Sequence, residues 1–466
     1  MKAISCVFVV LWISMISSYG ENSKGSNSGL PGNPLNYNDH IKPLLRKHCL
    51  KCHGDDKQKA GLNMQNYASL MKGGSGGEIV VAGRSSKSKL IHSVTDPDED
   101  NRMPPKKAAL PESEIALMQR WIDEGVREFG NSKSLAGKRD ISFKPAAVTG
   151  KPQEIAMPSG LEKVAVPKVV RPLPVLAMDS SPWAPLLAVS GQNHVKLIHT
   201  ETEKELGRLA FPEGIPYVIR FSRDGAVLMV AGGTPVEKGN VVLFDVKSGK
   251  RLAEIGDEID SVISASLSPD QKLLALGGTG KTVKVYSTID GSLKYKVTKH
   301  TDWITGLAFS PDGKILASAD RSGMVYLLEA GSGAIMLNLE EHKASVNALD
   351  WRSDSKVLAS SGDDGRIIWW NVKDGFPVIS KMNAHQPPRP QGTYGKIPNG
   401  VLAIRFDRQG NLISSGRDHN VKVWAPDGRE IKKFQLKEAI PVSTSFSNDG
   451  QKFISGDSSG LVTFFK

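Results

Sequence analysis

At 466 residues the chain is longer than one hydrophobic core usually organises, so two or more domains are expected. Its 39% hydrophobic and 23% charged residues exclude a wholly disordered chain. The net charge of +11 invites a nucleic-acid partner, but the excess gathers in 131–172, where eight basic residues stand against three acidic ones, so no nucleic acid is expected as a partner.

Residues 1–20 read as a secretory signal peptide. Lys2 supplies the positive start, and Ile4 to Ile16 is an apolar run too short to span a bilayer. Ser18-Tyr19-Gly20 offers small residues for cleavage. The mature chain is therefore expected to be exported, to the periplasm or an equivalent envelope compartment, without a membrane span. Of the three cysteines, Cys6 leaves with this segment, and the other two stand too close together to build a disulfide framework. Residues 21–35, rich in Ser, Asn and Gly, read as a flexible tail.

Residues 36–130 form the first expected domain. Ile41, Leu44 and Leu45 have helical spacing leading into Cys49. Glu112 to Phe129 is a stronger helix, with Ile115, Met118, Trp121, Ile122 and Val126 on its apolar stripe and Pro111 at its entry. Gly73 to Gly77 and Asp96 to Pro105 read as loops between them.

Cys49-Leu50-Lys51-Cys52-His53 is the pattern of covalent haem attachment. Its spacing lets two thiols add across the two vinyl groups while the adjoining imidazole meets the iron from the same side. One haem c is expected, attached through Cys49 and Cys52, with His53 as an axial ligand. A redox Cys-x-x-Cys would need a βαβ context, and a zinc site would need further clustered ligands; the sequence offers neither nearby. Met103, between Arg102 and Pro104-Pro105 on a stiff extended loop, is the leading second axial ligand. Met64, Met71, His48 and His92 are its rivals. His/Met ligation leaves no open coordination position and favours electron transfer.

Residues 131–160, rich in Lys, Pro and Ala without periodicity, read as a linker. From 161 to 466 the texture changes to short β-runs. One landmark recurs, an apolar residue leading into a Ser/Asp/Gly turn, at Met178, Phe221, Leu267, Phe309, Trp351, Phe406 and Phe446. Its spacing is that of four-stranded propeller blades, and the count is seven. The units resemble WD repeats. Two of them match that family's His–Ser–Asp–Trp tetrad, His342, Ser360, Asp364 and Trp370, then His385, Ser414, Asp418 and Trp424. In another, Ser318 is followed by Ser322 and Leu328 where Asp and Trp would stand. These residues read as scaffold and not as a Ser/His/Asp hydrolase triad, since no oxyanion motif accompanies them. Leu161 to Val170 is the candidate outer strand for the last blade, closing the ring. The insertion from His385 to Asn399 is either a binding loop or a tolerated insertion.

The first domain resembles the planctomycete-type cytochrome c domain. The matching run is Ile41 to Leu45, Cys49 to Gly54, Gly61-Leu62, Gly73 to Gly76, Gly83-Arg84, Ser88 to Ile91, Met103 to Pro105 and the Trp121-Ile122 helix. The resemblance implies an all-α class I cytochrome c fold with crossing terminal helices and Met103 as the distal ligand. Arg84 and Arg102 are candidates for haem-propionate contacts, because bidentate Arg–carboxylate geometry suits them; the alternative is a solvated loop arginine. The whole chain thus reads as an exported electron-transfer cytochrome whose propeller docks a redox partner protein. The alternative is a redox enzyme in which the propeller holds a substrate and the haem domain drains electrons. No catalytic residue is nominated.

Overall fold

The computed structural model describes residues 35–130, 132, 143, 145, 150–161, 164, 173–386 and 400–466. The expected signal peptide, the tail up to residue 34, most of the linker, the 165–170 run and the 387–399 insertion lie outside these residues.

The N-terminal unit is a small helical domain. A π-type turn, Tyr37–Ile41, is capped by the Asn36 side chain, which accepts the Asp39 N–H at 2.9 Å, and runs into α1 (Lys42–His48). Cys49 links α1 to the short α2 (Leu50–His53). Two helices carried no periodic signal, α3 (Tyr67–Lys72) and α4 (Lys89–Thr95), because each is too short to repeat an apolar stripe. Between them Gly73 has φ 77, and a Cβ there would lie 2.1 Å from the Gly77 carbonyl oxygen, so only glycine allows this tight loop.

The last helix, α5 (Glu112–Asp123), stops before the expected Phe129. Gly125 takes φ 94, its N–H bonds to Ile122 O at 3.0 Å, and Val126 N–H bonds to Trp121 O at 3.0 Å. These bonds satisfy the last helical carbonyls and turn the chain back. Val126 is buried by that reversal and not by helical periodicity. Tyr37, Ile41 and Leu45 from the first helical segment meet Met118, Trp121 and Ile122 of α5 in one core. Trp121 Nε1 donates to Arg127 O at 3.0 Å, and Tyr67 OH donates to Val126 O at 2.7 Å, so the buried tryptophan and the half-buried tyrosine keep their polar atoms paired.

The remainder is a seven-bladed β-propeller. Its described strands form six sheets of four strands and one of three, each antiparallel and in chain order. Six of the seven sequence landmarks fall where an innermost strand meets its first turn, as in Ile215–Phe221, Ile304–Phe309, Val401–Phe406 and Pro441–Phe446, whereas Met178 opens its strand, Met178–Ser180. A repeated hydrogen-bond pattern explains their residue types. Ser310 Oγ donates to Asp312 Oδ1 at 2.6 Å and accepts the Ile315 N–H at 2.9 Å. Ser268 makes the same pair with Asp270 and Leu273, at 2.6 and 2.9 Å. A serine and an aspartate two residues later thus close the turn that starts the second strand.

Blade seven has three strands among the described residues, Pro441–Phe446, Phe453–Asp457 and Val462–Phe465. It is tied to the start of blade one by Val175 N–H to Asp457 O at 3.0 Å and Ser443 Oγ to Val175 O at 2.7 Å. Lys452 Nζ adds bonds to Thr200 O and Glu203 Oε1, both at 2.8 Å. Residues 150–161, read from sequence largely as linker, lie on the propeller. Ala156, Met157 and Leu161 pack against the core of blades one and two, and Ser159 N–H bonds to Lys247 O at 2.8 Å.

Candidate functional site

The Cys49–His53 segment is helical because α1 continues through it, with Cys49 N–H bonded to Leu45 O at 2.7 Å. Cys52 and His53 N–H groups both bond back to Cys49 O, at 3.1 and 3.0 Å. This turn brings Cys49 and Cys52 to one face, three residues apart, as two free thiols. Burial, with Cys52 alongside, pushes the Cys49 thiol up to about 11.

His53 Nδ1 lies 3.1 Å from the carbonyl oxygen of Lys59. A carbonyl only accepts, so Nδ1 carries the proton and Nε2 keeps its lone pair. Holding one ring nitrogen in this way is how proteins orient a metal-ligating imidazole. Met64 N–H bonds to His53 O at 2.7 Å, which pins the backbone behind the ring. The residues present therefore fit a covalently attached haem: Cys49 and Cys52 would hold the porphyrin edge, and His53 Nε2 would face the iron.

The candidate sixth ligands separate by environment. Met64 is 4% exposed in the hydrophobic core, and Met71 packs against that core. His48 Nε2 is 2.8 Å from Glu114 Oε2, while Lys47 Nζ is 2.8 Å from Glu114 Oε1, so His48 is directed to the first turn of α5. Met103 is 39% exposed, a large apolar side chain without full cover. Its loop is stiffened by Asp98 N–H to Asp96 Oδ1 at 2.9 Å and Asp100 N–H to Asp98 Oδ1 at 3.0 Å, and Met103 N–H is anchored to Ser93 O at 2.7 Å. The Asp96–Asp100 run thus serves the loop that carries Met103.

The two arginines have different surroundings. Arg102 reaches Glu99 Oε1 at 3.3 Å and Asp96 O at 3.5 Å, with its Nε buried and unbonded. Arg84 is exposed and borders a cavity of about 250 Å³ with Lys87 and the propeller residues Lys238, Arg251 and Glu254. Lys87 Nζ lies 3.8 Å from Asp257 across that cavity.

Both tetrads close. His342 Nδ1 meets Asp364 Oδ2 at 3.0 Å, His342 Nε2 meets Ser360 Oγ at 2.7 Å, and Trp370 Nε1 donates to Ser360 Oγ at 2.8 Å. For His385 the distances are 2.7 Å to Asp418 and 2.7 Å to Ser414, with Trp424 Nε1 at 2.8 Å from Ser414. Blade four departs from the sequence pattern yet keeps the network. His300 bonds Ser318 Oγ and Asp320 Oδ2, each at 2.8 Å, and Tyr326 sits edge-on to its ring with centroids 4.8 Å apart. The carboxylate comes from the strand itself, two residues after the serine, where sequence reading looked for it four residues on. Burial holds His300 below the usual imidazole range. Burial also pushes Asp320 up, but bonds from Ser322 and His300 outweigh it and keep the carboxyl low. Every member of such a network is satisfied, which makes it scaffold.

The planctomycete cytochrome C family matches residues 49–107, and the WD domain, G-beta repeat, matches 291–328, 333–371 and 389–425. The chain joins a planctomycete-type cytochrome c domain to a WD-repeat propeller. The first two matched repeats run from the turn before the outer strand of one blade to the third strand of the next, so those repeats straddle blades. A chain in the crystal structure of the mitotic checkpoint complex shares the architecture, with TM-score 0.54 and 18% identity, covering 68% of this chain and 99% of its own. At that identity the likeness shows fold alone. No curated protein matches the chain. No helix among the described residues is long and apolar enough to cross a membrane.

Proposed function

We propose that the chain is an exported c-type cytochrome with a class I fold, carrying one haem c on Cys49 and Cys52, with His53 and Met103 as axial ligands. The observation that carries this reading is the His53–Lys59 hydrogen bond of 3.1 Å inside a Cys-x-x-Cys-His turn with both thiols free. Haem held by His and Met supplies reversible one-electron exchange at a raised potential. Around it the chain's own residues orient and exclude. Lys59 O fixes the imidazole tautomer, Leu90, Ile91 and Val94 of α4 supply apolar walls, and Ser93 O anchors the Met103 strap. The exposure of Met103, against the burial of Met64, favours Met103 as the sulfur left for a ligand. Arg84 or Arg102 would meet the propionates.

WD-repeat propellers generally mediate protein–protein contact, and here that role is docking of a redox partner. The apolar run at Ile4 to Ile16 supports export. The test is spectroscopic titration of the exported full-length protein. The reading expects a reversible ferrous–ferric change, a ferrous spectrum inert to carbon monoxide, and electron exchange with a co-purifying redox protein. Turnover of a small donor in the absence of any protein acceptor would favour the enzyme reading instead.

A further inference from the structure

The second-to-last residue of each innermost strand belongs to the ring of inner strands around the central channel. In blades one, two, five and six those residues are Asp179, Arg220, Asp350 and Arg405, and all four line a cavity of about 460 Å³ on the side of the inner-strand turns. The carboxylates are already engaged. Asp179 Oδ2 accepts the Phe221 N–H at 2.8 Å, and Asp350 Oδ2 accepts the Phe406 N–H at 2.6 Å, each bond joining one blade to the next.

The guanidiniums are not so engaged. Arg220 hydrogen-bonds only Ile219 O, at 3.4 Å, and has no ion pair within 4.0 Å among the described residues. Arg405 hydrogen-bonds Ile404 O at 3.0 Å; its Nε stands 3.5 Å from Asp179 Oδ1, buried and without a hydrogen-bond partner. Each guanidinium has five N–H donors in a planar fork, so most of them have no acceptor among the described residues. The same cavity is walled by Trp351, Phe406 and Phe446, and Arg408 lies at its mouth, 3.8 Å over the Trp183 ring.

We propose that this channel cavity binds an organic carboxylate with a compact apolar body, its carboxylate seated on Arg220 and Arg405 and its body against the aromatic wall. Charge count selects this ligand over a polyanion. Arg220, Arg223, Arg405 and Arg408 are balanced by Asp179, Asp350, Asp407 and Asp449 in the same lining, so the site has no net positive field to hold several negative charges, and a single carboxylate is held locally by the open donors of Arg220 and Arg405. The volume lies within the usual range for small-molecule sites. The inference is independent of the haem reading.

Calorimetry of the full-length protein with benzoate and hexanoate, against benzamide and inorganic phosphate, tests it. Saturable binding of a carboxylate is expected, with benzamide at least tenfold weaker, as loss of a charge-assisted pair implies, and phosphate at least tenfold weaker because it brings extra charge and no apolar body. Arg220→Gln and Arg405→Gln should each weaken carboxylate binding by roughly tenfold. Should Arg405→Gln fail to fold, Arg220→Gln carries the test, because Arg220 touches Asp179 and Asp350 only through longer-range charge and makes no ion pair within 4.0 Å among the described residues. Absence of carboxylate binding, equal binding of benzamide or phosphate, or unchanged affinity in a folded Arg220→Gln protein overturns the proposal.

Discussion

The imidazole Nδ1 of His53 is hydrogen-bonded to the carbonyl oxygen of Lys59, 3.1 Å away, and the residue that follows that carbonyl, Ala60, has φ 55. A left-handed backbone at a residue with a Cβ costs about 1 kcal/mol or more, and a β-branched side chain costs further. Ala60→Gly should therefore stabilise the protein by roughly 0.5–1 kcal/mol in denaturant melts. Ala60→Val should destabilise it and disturb the Lys59 carbonyl, shifting the reduction potential while haem attachment persists. An Ala60→Val protein with unchanged stability and potential would show that the turn does not hold the imidazole.

Met103→Ala should open a coordination position, so that the ferrous protein binds carbon monoxide where the parent does not. Met64→Leu, a volume-conserving change in a buried site, should cost less than about 1.5 kcal/mol and leave the spectrum as it was. Carbon monoxide binding by Met64→Leu but not by Met103→Ala would exchange the two roles.

Asp320 does in blade four what Asp364 does in blade five, although it stands at a different place in the repeat. Removing the acceptor from a buried His–Asp hydrogen bond leaves a donor unsatisfied and typically costs about 1–3 kcal/mol. Asp320→Ala and Asp364→Ala should therefore lower the unfolding midpoint to a similar degree. Ser322→Ala, at the position where the repeat pattern looks for the acid, should cost much less. Equal effects of Ser322→Ala and Asp320→Ala would contradict the assignment.

Burial pushes Asp179 and Asp350 up to about 6, partly countered by Arg220. Below that pH the folded chain holds protons that the unfolded chain releases, since ordinary carboxyls titrate near 3.9. The stabilisation is full below the unfolded value and is lost as pH rises through about 6. The double substitution Asp179→Asn, Asp350→Asn should flatten the decline of the melting temperature between roughly pH 4 and 6. An unaltered slope would place the titration elsewhere.

Much of the fold could be read in the chain because short local patterns encode it. Ser310-Pro311-Asp312-Gly313 closes a turn through its own side chains, so the motif marks a strand end wherever it occurs. Cys49 to His53 likewise brings its thiols together within a single helical turn. What escaped depends on distant or main-chain partners. Lys59 contributes a backbone oxygen, which any residue type provides. Gly125 ends α5 early by its conformation, although the apolar stripe runs on to Val126. Asp179 and Arg405 belong to blades one and six, and their 3.5 Å approach exists only once the ring has closed.

Covalent attachment is tested most directly by the intact mass of the full-length protein recovered from the exported fraction, before and after thiol alkylation. The account predicts a coloured species heavier by a single haem, retained through acid–acetone extraction, in which neither Cys49 nor Cys52 reacts with the alkylating agent. A colourless chain of apoprotein mass, with both thiols modified, would contradict it.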